Sequence, residues 1–431
     1  MLTPAPKRSS SRPETFAVLD VGTSKVVAAI LARDIKAPLG PDGQAGYRLI
    51  GLGKSKARGL KASVVMNLGD VTQSIEAAVE AAEKAAGLTL DGITVAVPTG
   101  RLRGATVVAS VSLQSSEVGE PDLAKIVRAG DAYVAREGRR LVHLNPIAYR
   151  IDGGHPVGNP MGLAGQRLSA DIHVVSADET PLQHLIQAVE GANLAVDKLV
   201  PTPVASALAV TTEDERRAGT IVVDFGAGST TMALYADGHL VNVAALPVGG
   251  NHLTFDLSRS FGVSIPEAER IKTNYGTLLQ TQMDAHTAIP LDASASRAGD
   301  QQPSGRVVTV ADVREVLAER CGKILAMVRE RVEASGLSPD AFQSVVLTGG
   351  SSRLTGFVAT VSRGLARPVR LGEPMPLIGE SQSLRHPEFA AVAGLMATAL
   401  DRAVGQRIER QVSTEAPSKL GLIGKWFSQS F

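Results

Sequence analysis

Two stretches of the chain end an apolar run in aspartate and follow it with glycine and hydroxyl residues. The first is Leu19-Asp20-Val21-Gly22-Thr23-Ser24-Lys25, the second Val223-Asp224-Phe225-Gly226-Ala227-Gly228-Ser229-Thr230-Thr231. This pattern suits a phosphate chain. Glycine lets backbone N–H groups approach phosphate oxygens closely, and Ser and Thr add hydroxyl donors. An aspartate at a strand end can hold a hydrated Mg²⁺, which keeps several waters and takes few protein ligands. One such segment is an ordinary tight turn. Two in matching context, about half the chain apart, predict two homologous lobes facing one nucleotide. A third segment, Val345-Val346-Leu347-Thr348-Gly349-Gly350-Ser351-Ser352-Arg353, runs a buried strand into a glycine pair, which lets backbone lie flat against a base or ribose.

The elements that must position these turns alternate between strand and helix patterns. Phe16–Leu19, Lys25–Leu31, Ile93–Val97, Ala105–Leu113, Ile221–Val223 and Val345–Leu347 read as strands, and Thr231–Tyr235 with Leu240–Leu246 as a hairpin. Helical spacing appears in Asp70–Gly87 (Val71, Ile75, Val79, Ala82, Ala86), at Leu182, Leu185, Ile186 and Val189, and from Val313 through Val332. The mixture predicts an α/β fold. Residues 280–306 carry few structure signals and read as a long surface excursion.

Composition bounds the function. The 431 residues allow roughly two to four domains. A 44% apolar and 20% charged content rules out disorder as the main state. Lys plus Arg number 44 against 43 acidic residues, a charge of +1 that argues against a dedicated nucleic-acid protein. One cysteine, Cys321, excludes a disulfide framework and a Cys-cluster metal site. His143, His155, His173 and His252 show no metal-ligand spacing and read as structural. Residues 1–14 form a basic, Pro/Ser-rich arm with no apolar core after it, so no secretory signal is expected.

The far end differs from the body. Residues 404–419 are polar and read as a flexible linker. Residues 420–431 (LGLIGKWFSQSF) are apolar and hold the only tryptophan. As a helix, Leu420, Ile423, Phe427 and Phe431 fall on one stripe, flanked by Leu422 and Trp426, with Lys425 close by. Its length of about 18 Å is too short for a hydrocarbon layer of about 30 Å, so it is expected to lie in a membrane interface.

The three turn segments resemble the phosphate-1, phosphate-2 and adenosine motifs of the actin/Hsp70/sugar-kinase superfamily. Within it the chain is most similar to the FtsA family of bacterial cell-division proteins. FAVLDVGTSKVV (Phe16–Val27), the Leu141–Val174 stretch with Asn159–Gly165, TTEDERRAGTIVVDFGAGS (Thr211–Ser229), PVGGNHLTFDL (Pro247–Leu257) and Val345–Phe357 carry the resemblance. It implies an actin-like two-lobed fold with ATP and Mg²⁺ in a central cleft, an inserted subdomain 1C and a C-terminal amphipathic helix. The implied division is 15–91 with 171–211 and 372–403 (1A), 92–170 (1C), 212–255 with 331–371 (2A) and 256–330 (2B).

The implied nucleotide contacts are Asp20, Gly22, Thr23, Ser24, Lys25, Asp224, Gly226, Gly228, Ser229, Thr230, Gly249, Gly250, Glu269, Lys272, Gly349, Gly350, Ser351 and Arg353. Asp20 and Asp224 would hold Mg²⁺ through water. Leu420, Leu422, Ile423, Lys425, Trp426, Phe427 and Phe431 would contact anionic lipid on the cytoplasmic face of the inner membrane, at the septum. The implied partners are the FtsZ C-terminal tail on 256–330, other copies of the chain in a polymer, and late division proteins such as FtsN on 92–170. In the chaperone-like branch an acidic residue helps position the attacking water; the matching place here looks like Thr202, a poor general base, which implies slow hydrolysis. Two other readings of the fold are a small-molecule kinase, for which the cleft motifs offer no substrate carboxylate, and a PilM-type pilus-assembly protein.

Overall fold

The computed structural model describes residues 15–34, 46–98, 101–284, 286–291, 306–375 and 382–398. The arm 1–14, the linker 404–419 and the apolar segment 420–431 lie outside the described residues.

The first half of the chain runs β1 (Thr15–Val21), β2 (Lys25–Asp34), β3 (Gly46–Lys56), the small hairpin β4 (Leu60–Lys61) and β5 (Val64–Val65), α1 (Leu68–Ala86) and β6 (Gly92–Val97). Then come β7 (Arg103–Ser112), α2 (Glu120–Arg136), β8 (Arg139–Ile151), β9 (Arg167–Asp178), α3 (Glu179–Gly191), β10 (Ala195–Pro201), α4 (Thr202–Val210) and α5 (Glu213–Ala218). The second half runs β11 (Thr220–Phe225), β12 (Thr230–Ala236), β13 (His239–Leu246), α6 (Gly250–Phe261), α7 (Ile265–Tyr275), β14 (Ala288–Pro290) and β15 (Val307–Thr309). It continues with α8 (Val310–Glu333), β16 (Ser344–Thr348), α9 (Phe357–Leu365) and β17 (Val369–Leu371), and a helical run over 390–398.

The two lobes repeat one topology. The first sheet has the order β10-β6-β1-β2-β3, and the second-lobe strands have the order β17-β16-β11-β12-β13. In each, an antiparallel meander of three strands is extended on one side by two parallel strands. The duplication expected from the two aspartate turns is therefore present at the level of whole sheets. It also places the turns alike: Asp20 pairs with Val27 across the β1–β2 hairpin, and Asp224 with Thr231 across β11–β12.

Local signals explain the helices that frame the turns. The Asn67 side chain caps α1 by accepting the Asp70 N–H at 3.2 Å, and Gly87 ends the helix with φ +68°. Val71, Ile75, Ala78, Val79 and Ala82 form the apolar stripe it buries against the first sheet. Thr212 and Glu215 form a reciprocal capping box at the start of α5. Helix α4 is different: nearly all of it is buried, because it lies in the core shared by the two sheets. Val204, Ala205 and Ala207 pack there with Val18 and Val27 of the first lobe and with Val222, Ala233 and Val346 of the second.

A separate unit hangs on this frame. Strands β7, β9 and β8 with α2 enclose their own core around Ile126, Leu144, Tyr149, Leu168 and Ile172. Its sheet continues the second-lobe sheet through one register pair, Ala244 with Arg103. The strand Gly92–Val97, expected in the 92–170 insertion, instead pairs with β1 and β10 in the first sheet. Its buried Ile93, Val95, Ala96 and Val97 serve the first lobe on both faces, which a lone strand in a small unit would not require. The 280–306 stretch is not structureless throughout: Ala288–Pro290 pairs with Val307–Thr309. No helix of the described residues is long and apolar enough to cross a membrane.

Candidate functional site

The two aspartate turns face each other across a cleft of about 540 Å³. Both close in the same way. The Gly22 N–H donates to the Lys25 carbonyl at 3.1 Å, and the Gly226 N–H to the Ser229 carbonyl at 3.0 Å. The turns nearly touch, and a Cβ on Gly228 would run into the Thr23 side chain. Thr23, Ser63 and Ser229 link the lobes by hydroxyls: Thr23 Oγ1 to Ser63 Oγ at 3.1 Å, then Ser63 Oγ to Ser229 Oγ at 3.0 Å. Helix α6 pins the second turn, with the Gly250 and Asn251 N–H groups donating to the Gly226 and Ala227 carbonyls at 3.0 and 2.8 Å.

The aspartates form the charged floor. Burial, then the charge of Asp224, pushes Asp20 up to about 7, against the pull of Lys25. Burial also raises Asp224, opposed by a 2.5 Å hydrogen bond from Ser206 Oγ and by Lys25. Two crowded carboxylates with raised pKa are a pair in need of a cation. Two buried hydroxyls on the same cleft, Thr202 Oγ1 and Thr231 Oγ1, have no hydrogen-bond partner among the described residues. Orphaned buried hydroxyls are costly unless a ligand or water completes them. Carboxylates, open backbone turns and free hydroxyls thus fit a hydrated Mg²⁺ with a polyphosphate.

The opposite wall carries a compact network. Glu269 and Lys272, one helical turn apart on α7, pair at 2.7 Å, and Thr254 joins both at 2.6 and 2.8 Å. Burial pushes Glu269 up, but hydrogen bonds from Lys272 and Thr254 outweigh it and hold the carboxyl below its usual range. Gly349 has φ +87°, and a Cβ there would strike the Asp224 carboxylate, so the third segment needs glycine to pass the second turn.

This architecture has known counterparts. A family model described as the SHS2 domain inserted in FtsA matches residues 99–176, and one described as cell division protein FtsA matches residues 221–394. The cell division protein FtsA of Agrobacterium fabrum is 34% identical over 429 residues, covering 98% of this chain and 96% of that protein. The chain belongs to the FtsA family of cell-division proteins. FtsA of Escherichia coli K12 is 26% identical over 422 residues, with 96% and 97% of the two chains covered. Among solved structures, the PilM-PilN type IV pilus biogenesis complex matches with a TM-score of 0.59 at 19% identity, covering 89% of this chain and 98% of that one. MreB5 of Spiroplasma citri bound to ADP matches with a TM-score of 0.53 at 13% identity, covering 93% and 99%. These two show the actin-like fold alone, whereas the identity to FtsA of Agrobacterium fabrum reaches 34% over nearly the whole chain.

In this FtsA-family chain the cleft gathers Asp20, Gly22, Thr23, Ser24, Lys25, Asp224, Gly226, Gly228, Ser229, Gly250, Glu269, Lys272, Gly349, Gly350, Ser351 and Arg353. Two expected residues are not on its wall. Thr230 is fully buried and its hydroxyl donates to the Val248 carbonyl at 2.7 Å, so it closes the β12 end as a structural link. Gly249 packs under the second turn, where a Cβ would crowd the Gly226 and Ala227 carbonyls; it makes room for the turn. The membrane residues Leu420 to Phe431 lie outside the described residues.

Ser63, Ser206, Thr231 and Glu388 line or support the cleft without having been expected there. Thr231 follows directly on the second turn and was within reach of the motif. The others belong to no local pattern. Ser206 gives a direct test. Ser206→Ala removes the donor that favours ionised Asp224. The expected loss is about 1–3 kcal/mol of folding stability at pH 8, with a smaller loss at pH 4, where burial makes Asp224 carry more of its proton than an ordinary aspartate does. Urea denaturation at the two pH values measures it.

Proposed function

We propose that this chain is an ATP-binding, actin-like adaptor that polymerises on the cytoplasmic face of the inner membrane and tethers FtsZ filaments there, recruiting later division proteins such as FtsN to the septum. The observation that carries the nucleotide part is the pair of matched turns holding Asp20 and Asp224 across one cleft. Asp20 and Asp224 would hold Mg²⁺ through its waters, and the backbone of the Gly22 and Gly226 turns, with Thr23 and Ser229, would cradle phosphates. Bound metal supplies charge neutralisation of the phosphate chain. Gly349, Gly350, Glu269 and Lys272 stand where the nucleoside would lie. The family membership supports the division role.

The reading also takes the FtsZ C-terminal tail to dock on 256–330, where Phe255 and Ile265 expose large apolar side chains at the edge. The 420–431 segment is the membrane contact. Thr202 stands at the start of α4 with a neutral hydroxyl on the cleft that has no hydrogen-bond partner among the described residues. It supports slow turnover, with nucleotide acting as an assembly switch.

The test is calorimetric titration of Mg-ATP, then electron microscopy on anionic vesicles with and without it. The expected result is saturable binding, ATP-dependent filaments on lipid, and a turnover at least about a hundredfold below the roughly 10 s⁻¹ typical of enzymes. Rapid phosphorylation of a sugar in an added panel, without filaments, would sink the adaptor reading.

A further inference from the structure

Four carboxylates and three cations line the cleft: Asp20, Asp224, Glu269 and Glu388 against Lys25, Lys272 and Arg353. Among the described residues, each of these cations is already matched with a carboxylate. Lys272 pairs with Glu269 at 2.7 Å. Lys25 Nζ donates to Glu388 Oε1 at 2.7 Å, and Arg353 Nη1 lies 3.8 Å from Glu388 Oε2. A polyphosphate entering this cleft meets lining cations that already touch a carboxylate, with Lys25 and Arg353 sharing Glu388.

Glu388 is the unusual member. It comes from the short helical turn Pro387–Phe389, 363 residues from Lys25 in sequence. Its backbone is held firmly: the Pro387 carbonyl accepts from Gly349 N–H at 3.2 Å and from Thr348 Oγ1 at 3.3 Å. Phe389 beside it places its ring under Lys25 Nζ at 4.0 Å and Lys54 Nζ at 4.2 Å. Two ammonium groups, Lys25 and Lys54, thus share the Phe389 ring beside Glu388. Burial pushes the Glu388 carboxyl up, but Lys25 and Arg353 outweigh it and keep the group ionised.

The turn also joins the lobes. Lys25 belongs to β2 of the first lobe, and Arg353 to the segment after β16 of the second. One carboxylate therefore spans the cleft mouth between the phosphate end and the nucleoside end of the expected site.

We propose that Glu388 is a built-in counter-anion of the cleft, which holds Lys25 and Arg353 while the site is empty and which the phosphate chain must displace from Lys25. This rests on the reading of the cleft as a nucleotide site. The exchange is one of partners only: the Lys25 ammonium turns from Glu388 Oε1 to a phosphate oxygen, and no bond other than hydrogen bonds changes. Glu388 then remains beside a polyanion and opposes it by like-charge repulsion. Its effect is to weaken nucleotide binding and to favour release, as suits a chain that cycles between nucleotide states without fast hydrolysis.

The experiment is calorimetry of ATP, ADP and adenosine, each with Mg²⁺, on the full chain, Glu388→Gln and Glu388→Asp. Glu388→Gln is expected to bind ATP and ADP about tenfold more tightly, the scale of one charge-assisted hydrogen bond no longer competed for. Adenosine, which has no phosphate for Lys25, should change far less. Glu388→Asp keeps the charge and should stay within about threefold of the unaltered chain, or about 0.7 kcal/mol. Thermal unfolding without nucleotide checks that each variant folds. Equal or weaker ATP binding by a folded Glu388→Gln, or equal tightening for adenosine, overturns the inference while leaving the nucleotide reading intact. Tightening by Glu388→Asp as large as by Glu388→Gln overturns it too, since charge would then not be the cause. No ATP binding by the unaltered chain overturns the nucleotide reading and this inference with it.

Discussion

A chain stopped at Lys419 is expected to stay in the supernatant with anionic vesicles under conditions in which the full chain pellets. The removed segment, LGLIGKWFSQSF, holds six large apolar side chains and the only tryptophan. Each such side chain contributes up to about 1.5–3 kcal/mol if fully buried. Interfacial helices bury one face only, and ordering a segment with Gly421 and Gly424 costs free energy. One copy should therefore bind reversibly. A polymer presenting many copies gains avidity of about 10²–10⁴ without any new contact. The full chain should pellet more strongly with Mg-ATP than without, and the truncated chain should be indifferent to it. Trp426→Ala with Phe427→Ala should reproduce most of the loss, while Lys425→Gln should reduce binding mainly at low salt. Pelleting of the truncated chain at full strength would place the lipid contact in the folded body and end the anchor reading.

The fold was legible where local chemistry repeats. An apolar strand, an aspartate and a glycine-hydroxyl turn occur twice, and the structure builds the same five-strand order around each. Turn geometry is local, so Gly22 and Gly226 close onto Lys25 and Ser229 as their spacing requires. What was not legible is partnership across the cleft. Lys25 reads as a phosphate ligand from its motif, yet its partner Glu388 stands in a stretch with no signature. Ser63 sits in a two-residue hairpin turn at φ +62°, and only the approach of the lobes brings it between Thr23 and Ser229. Ser206 is one small residue on a helix buried all round, where periodicity carries no information about which face meets Asp224. Thr230 and Gly249 show the converse: a motif position can serve the turn's own scaffold and never reach the cleft.

Asp20→Asn separates the cost of the site from its use. The unaltered carboxyl is held at about 7 against an ordinary 3.8, by burial first and then by Asp224. A carboxyl whose folded pKa is raised binds its proton more tightly in the folded state. Its contribution to stability is therefore greatest below pH 3.8 and is lost as pH rises toward 7. The amide cannot ionise and escapes that loss. Without nucleotide, Asp20→Asn is expected to be more stable than the unaltered chain by about 2–4 kcal/mol at pH 8, at 1.36 kcal/mol per unit, and no more stable near pH 4. Denaturant titration at both pH values measures this. The same variant should bind Mg-ATP at least about a hundredfold more weakly, since a neutral amide gives a hydrated Mg²⁺ no charge to bind. The unaltered chain should itself lose Mg-ATP affinity as pH falls through 7, because the Asp20 proton competes with the cation; the variant's residual binding should lack that step. A variant that is stabilised but binds Mg-ATP normally would mean that the metal is held elsewhere in the cleft. One that loses binding with no gain in stability would mean that Lys25 already relieves the charge on Asp20 before any cation arrives.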